Sequence, residues 1–204
     1  AETPGPMKDS KMTPRMAETA KGLWVVYTLI SICCVLGYRW AGMTWLDAIM
    51  HMFSTMGLGG FSSHDASFGF FDSPAIELVS IGFMLIAGCN FATHYLVLSG
   101  RSLRPYVTDP EAGAFLLVTL GSVVGIAIFL DVHEVYPAFS EALRYSAFNV
   151  VSIATTTGYA NTDYALWPMF APLWMLFLSS FATSAGSTGG GIKMIRAIVL
   201  YKQV

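Results

Sequence analysis

Charge is what this sequence has least of. Only 12% of its 204 residues are Asp, Glu, Lys or Arg, about half the roughly 25% that soluble domains carry. That is too little to coat a water-facing surface, and it excludes a large soluble core of buried helices. Cysteine is also scarce. Cys33, Cys34 and Cys89 all fall inside apolar stretches, without metal-ligand spacing, and the adjacent pair cannot bridge itself. They read as small apolar packing residues, which excludes a disulfide framework and a thiolate metal centre. No cleavable signal is visible in the first 22 residues, which are polar rather than a short charged stub before an apolar run. The carboxylates sit at the ends of apolar runs, so a polytopic membrane enzyme would lack an intramembrane His, Asp, Glu or Ser constellation.

What remains is hydrophobic: 54% of the residues and a mean hydropathy of +0.58. Apolar runs at 23–40, 75–98, 112–130 and 167–200 reach the length of about 20 residues needed to cross a bilayer. The last is interrupted by Gly186-Ser-Thr-Gly-Gly-Gly191. The expected fold is an all-α integral membrane protein. Lys8, Lys11, Arg15, Lys21, Arg101, Arg104, Lys193, Arg196 and Lys202 fall on one side of four crossings, which makes that side cytoplasmic. Asp47, Asp65, Asp72, Glu77, Asp131, Glu134, Glu141 and Asp163 fall on the other. There they form either an acidic outer mouth that concentrates cations or ordinary solvated loops. The chain carries no initiating Met and reads as part of a longer protein.

One stretch occurs twice, 98 residues apart. Without a gap, Ser54 aligns with Ser152, Gly60 with Gly158, Phe61 with Tyr159 and Asp65 with Asp163. The same offset places Pro74 over Pro172 and Gly88 over Gly186, so the whole unit is duplicated. Both copies start and end on the cytoplasmic side, which makes them parallel rather than inverted repeats. The expected organisation is a polar cytoplasmic segment at 1–21, a span–pore loop–span repeat at 22–100, and a cytoplasmic link at 101–111. A second such repeat follows at 112–204, with a Gly-rich intramembrane loop at 186–191.

The segments 44–56 and 140–154 are too short to cross at about 1.5 Å per residue. Each is expected to enter from outside as a half-helix buried in protein, its partly negative C-terminal end favouring a cation. The loop that follows can offer several backbone carbonyls without a trapping counter-charge, as conduction requires. Gly57, Gly59, Gly60 and Gly158 would supply the unusual backbone. Thr155, Thr156 and Thr157 would line the second loop, and Phe61 and Tyr159 would pack behind as struts. External hairpins with glycines at their turns are the competing reading. For 186–191 the alternatives are a helix kink relieved by neighbouring helices and an intramembrane loop that blocks or opens a pore. A nucleotide-binding loop is excluded, because Ile192 separates Gly191 from Lys193 and no strand precedes it. Asn90, His94 and His51 are expected to hydrogen-bond between elements. Trp24, Trp40, Trp45 and Trp167 lie near span ends, as interfacial belts do.

In combination, Thr13-Pro-Arg-Met-Ala-Glu-Thr-Ala-Lys21, Gly60-Phe-Ser-Ser-His-Asp65, Asn90-Phe-Ala-Thr-His-Tyr95, Thr155-Thr-Thr-Gly-Tyr159 and Ala185-Gly-Ser-Thr-Gly-Gly-Gly-Ile-Lys193 resemble one family. It is the membrane subunit of the Trk/Ktr/HKT superfamily of potassium transporters. The resemblance implies four such repeats around one pore, of which this chain holds the second and third. It assigns the ion path to Leu58, Gly59, Gly60 and Phe61 in one loop and Thr156, Thr157, Gly158 and Tyr159 in the other, with Gly60 and Gly158 as key glycines. Leu58 and Gly59 stand where a channel has Thr and Val, so that loop supplies carbonyls only. A gate is implied at Gly186, Ser187, Thr188, Gly189, Gly190 and Gly191, with Lys193 and Arg196 anchoring the following half-helix or repelling cations. The implied cargo is K⁺ moving inward without catalysis. Also implied are a multi-pass place in the bacterial inner membrane, a homodimer, and a cytosolic nucleotide-binding ring of the TrkA type. A less selective Na⁺/K⁺ pathway and a non-conducting scaffold fragment remain the alternatives.

Overall fold

In the computed structural model, residues 16–203 are described; most of the polar segment expected at 1–21 lies outside them. Every regular element among them is helical. The first unit contains α1 (Met16–Ala41), α2 (Trp45–Met56), a short 3₁₀ turn at Ser67–Phe70, α3 (Pro74–Gly88) and α4 (Phe91–Gly100). A short α5 (Arg104–Thr108) links it to the second unit, which holds α6 (Pro110–Val132), α7 (Phe139–Ala154), a 3₁₀ turn at Tyr164–Leu166, α8 (Phe170–Ser179) and α9 (Met194–Gln203).

Local chemistry accounts for the helix starts. Thr44 is extended and its hydroxyl accepts the Asp47 N–H, while Asp47 places a carboxylate in the first turn of α2. Pro74 and Pro110 occupy the first turns of α3 and α6, where a missing N–H costs nothing. Asp109 caps α6 by accepting from Glu111 N and Ala112 N. At the end of α1, Arg39 donates to the Met43 carbonyl and sits over the Trp45 ring.

Among the described residues two helices, α1 and α6, are long and apolar enough to span a bilayer, and α3 with α4 makes a third if the bent pair is one span. On α1, Trp24, Val25, Leu29, Ile32 and Leu36 are each at least half exposed. An apolar face of that width, on a helix whose charged residues Glu18, Lys21 and Arg39 sit only toward its two ends, meets lipid rather than water. This is an all-α membrane protein.

The 75–98 run differs from the single span expected. It is two helices bent by 96°. Asn90 is the cause: its Oδ1 accepts the Ala92 N–H and starts a new helix. The carbonyls released at the bend are recaptured from the other repeat, since Ser184 N donates to Gly88 O and Thr188 N to Ala87 O. His94 staples the bend, with its ring nitrogens 2.9 Å from the Ile86 carbonyl and 2.5 Å from the Tyr106 hydroxyl. The last run is also interrupted for longer than expected, from Ser180 to Lys193. Trp167 is only 5% exposed and its indole donates to Tyr136, so it belongs to the interior rather than to an interfacial belt.

Helix α7 lies at the centre, packed against α6, α3 and α8. The 3₁₀ turn of the first unit reaches under the second unit's loop. Phe68 N and Gly69 N both donate to the Ala160 carbonyl, and the fully buried Phe68 ring lies 4.5 Å from Tyr159 and 4.9 Å from Phe148. The two repeats therefore share one core beside the duplicated loops.

Candidate functional site

The duplicated loops have the same backbone. Each begins where a short helix ends, α2 at Gly57 and α7 at Thr155. In the first loop, Gly57 N donates to Phe53 O, Leu58 N to Thr55 O and Gly59 N to Ser54 O. The second repeats these at an offset of 98: Thr155 N to Val151 O, Thr156 N to Ile153 O and Thr157 N to Ser152 O. Leu58 and Thr156 are both left-handed, with φ of 50° and 62°, and Gly60 and Gly158 follow at φ of 71° and 89°. Of the four glycines expected to supply the unusual backbone, Gly60 and Gly158 do so, while Gly57 and Gly59 are not at positive φ. Instead Gly57 is an ordinary right-handed cap, and Leu58 and Thr156 take the unusual conformation, at a cost of about 1–3 kcal/mol each.

The loops abut. A Cβ on Gly60 would collide with the Thr157 carbonyl oxygen and stand 3.2 Å from the Gly158 carbonyl carbon. Only glycine permits that approach. Behind the second loop, Ser152 Oγ donates to the Tyr159 carbonyl at 2.7 Å, and Thr155 and Thr157 join hydroxyls at 2.7 Å. The Tyr159 ring is fully buried and its hydroxyl crosses into α2. There it donates to the His51 carbonyl at 3.2 Å and meets Thr55 Oγ1 at 3.3 Å. His51 itself bonds Asp47 O and Ser62 Oγ, the neighbour-bonding role expected of it. Phe61 was expected to be the equivalent strut, but it is 81% exposed. Tyr159 braces against the short helix of the adjoining repeat, and among the described residues no such helix stands beside Phe61.

Residues 186–191 form an irregular loop that touches both repeats. Gly186 is left-handed, with φ 76°, against Asn90, where a Cβ would lie 2.6 Å from Oδ1; its carbonyl accepts the Phe91 N–H. Gly88 and Gly186, aligned in the sequence, thus belong to breaks that face one another. Ser187 Oγ and Thr188 Oγ1 donate to Ser184 O and Ala87 O. Gly189 accepts from the Lys193 ammonium. Gly190 N donates to Thr156 Oγ1 at 2.8 Å, and its carbonyl accepts from Thr183 Oγ1 at 2.8 Å. Ile192 N returns to Ser180 O, and Arg196 N to Lys193 O in the first turn of α9.

One contributor carried no sequence signal of a role here. Glu111, fully buried in the first turn of α6, accepts from Ala185 N at 2.6 Å and Ile195 N at 3.0 Å. A single carboxylate oxygen therefore holds both ends of the glycine loop. Among the described residues, no cluster of three or more His, Cys, Asp or Glu could hold a metal ion. What the arrangement offers an ion is backbone and hydroxyl oxygen.

A family model described as TrkH, cation transport protein, matches residues 1–204. The chain is 49% identical to the Trk system potassium uptake protein TrkH of Salmonella typhimurium over 203 residues, covering 100% of this chain and 42% of that protein. It is 40% identical to the Trk system potassium uptake protein TrkG of Escherichia coli, again covering 42% of its length. The crystal structure of the potassium transporter TrkH from Vibrio parahaemolyticus superimposes with a TM-score of 0.90 at 44% identity, over 94% of this chain and 42% of that one. The chain thus spans about two fifths of the length of the relatives it matches. With a family model matched end to end and the solved fold reproduced, this chain belongs to the TrkH family of cation transport proteins.

Proposed function

We propose that this chain contributes two quarters of a K⁺ uptake pathway, with the two abutting loops as adjacent walls of its selectivity filter. The carbonyls of Leu58, Gly59, Gly60 and Phe61 and of Thr156, Thr157, Gly158 and Tyr159 replace water around the ion. The observation that carries this reading is the shared backbone of the two loops, down to left-handed residues at matching positions. Duplicated external hairpins would have no reason to preserve Leu58 in a strained conformation. Each loop also begins at a helix C-terminus, whose partial negative charge of about half an electron favours a cation. The glycine loop 186–191 is the gate, lying against the second filter loop and held by Lys193 and Glu111.

The remaining walls come from the other repeats of the whole protein. The pathway works in the bacterial inner membrane, as a homodimer under a nucleotide-binding TrkA-type ring. The printed names of the relatives as potassium uptake proteins and the lipid-facing surface of α1 support the membrane pathway, their greater length supports the further repeats, and the homodimer and the ring follow from the family resemblance. Crystals of the full-length protein soaked in Rb⁺ test the filter. Anomalous scattering is expected between residues 58–60 and 156–158, and no ordered ion there would overturn the assignment.

A further inference from the structure

Thr156 stands where the two proposed functional elements meet. Its backbone is left-handed at φ 62°, and its hydroxyl oxygen accepts the Gly190 N–H at 2.8 Å. The peptide on the other side of Gly190 is fixed as well, since Thr183 Oγ1 donates to its carbonyl. The middle of the glycine loop is therefore pinned to the second filter loop through one side chain. Leu58 occupies the matching place in the first loop, with the same backbone but a buried hydrocarbon side chain. It offers no acceptor. The hydroxyl is present in the repeat that carries the glycine loop and missing from the one whose span turns aside at Asn90.

We infer that Thr156 is a positioning residue that couples gate to filter: its hydroxyl latches the glycine loop closed beneath the filter segment to which Thr156 belongs. The inference rests on the filter and gate reading above. A neutral N–H to hydroxyl bond suits a latch. It stabilises one arrangement modestly and breaks without leaving a charge behind. Because Gly190 and Thr156 share the bond, movement of the loop is transmitted to a residue already held in a costly backbone conformation, and a change at the filter is transmitted back.

Single-channel recording of the full-length transporter in K⁺ tests this with four variants. Thr156→Val keeps the β-branched shape and removes the acceptor; Thr156→Ser keeps the acceptor. The third deletes residues 189–191, and the fourth joins Thr156→Val to that deletion. Thr156→Val is expected to shift the closed–open balance about fivefold toward open, the worth of one net hydrogen bond, and Thr156→Ser to restore closing. The deletion is expected to open the pore further, and Thr156→Val to add nothing to it, since the partner is gone. If Val disturbs assembly, Thr156→Ala removes the same acceptor without filling the site. A deletion that opens the pore while Val and Ala gate like the parent overturns the latch and leaves the gate standing. A deletion without effect removes the gate itself and the latch with it.

Discussion

Arg144 on α7 grips Glu77 on α3 with two parallel hydrogen bonds, Nε to Oε2 and Nη2 to Oε1, both 2.8 Å long. The same Nη2 reaches Asp72 Oδ1 at 2.8 Å. Glu77 is 3% exposed, whereas the Asp72 side chain is 76% exposed, so the two contacts differ greatly in weight. This forked pair ties the second repeat's short helix to the first repeat's descending helix at the end where both begin. Hydrogen bonds donated to Glu77, and then to Asp72, hold the guanidinium's proton more firmly than usual.

Breaking that pair from one side should be severe. Arg144→Met leaves Glu77 charged and buried, a loss of about 3–5 kcal/mol. Arg144→Lys supplies a point charge without the fork and should fall between Met and the parent. Asp72→Asn, at the solvent edge, should cost under about 1 kcal/mol. Thermal unfolding of the full-length protein in detergent reads the order directly. An Asp72→Asn variant as unstable as Arg144→Met would mean that the exposed contact, not the forked one, joins the repeats.

The two key glycines should not respond alike to substitution. A side chain on either meets left-handed backbone, but at Gly60 it also strikes the Thr157 carbonyl, while nothing stands within 4 Å of a Cβ at Gly158 among the described residues. Gly60→Ser should therefore distort both loops, and Gly158→Ser chiefly its own. K⁺ over Na⁺ permeability of the full-length protein is expected to fall in both, and further in Gly60→Ser. Unchanged ratios in both variants would sink the filter assignment.

Much of this was legible because the duplication is written in residues with one physical use. A glycine at 60 and 158 and an aromatic after each marked the loops, and the polar break at 186–191 marked the unwound segment. What escaped depends on partners distant in sequence. Ala87-Gly88 looks like continuous apolar helix until Thr188 and Ser184 arrive to satisfy its carbonyls; Asn90 held the local clue, a capping side chain inside a hydrophobic run. Leu58 in a left-handed conformation contradicts its own preference, and only the loop's matching with Thr156 explains it. Phe61 and Tyr159 read as equals in sequence, yet their burial depends on what lies beside each. Glu111 resembled an ordinary acid in a cytoplasmic link, and its role appears only once α6 meets the glycine loop.

Asp47 gathers the segment after the first loop. Its carboxylate accepts from Thr44 Oγ1 at 2.7 Å and Ser63 Oγ at 2.8 Å, and lies 3.2 Å from His64 Nε2. The Thr44 hydrogen bond, reinforced by Ser63 and His64, holds its pKa below the ordinary 3.8. A lowered carboxylate pKa stabilises the fold above the unfolded value, and that stability is lost as pH falls through the folded one. Stability from this source should be level from neutral pH down to about 3.8 and decline below it. Asp47→Asn should lower stability at neutral pH and flatten the acid decline. Melting profiles of both proteins between pH 3 and pH 7 check this, and parallel profiles would contradict it.

Glu111 offers the most direct test of how the glycine loop is held. Ala185 N and Ile195 N both donate to its Oε1, and it sits in the first turn of α6. Removing the carboxylate strands two N–H groups inside the protein, each costing about 1–3 kcal/mol. Glu111→Ala should therefore raise amide hydrogen exchange across 185–195 while leaving the exchange of α1 unchanged. Glu111→Gln keeps an oxygen in reach as acceptor but puts an NH₂ where the second carboxyl oxygen stands, so its exchange should lie between Ala and the parent. Mass-resolved exchange on the full-length protein in detergent distinguishes these outcomes. If 185–195 stays as protected in Glu111→Ala as in the parent, the loop is held by its other hydrogen bonds, among them those to Ala87, Gly88, Phe91, Ser180 and Thr183, and Glu111 is a bystander.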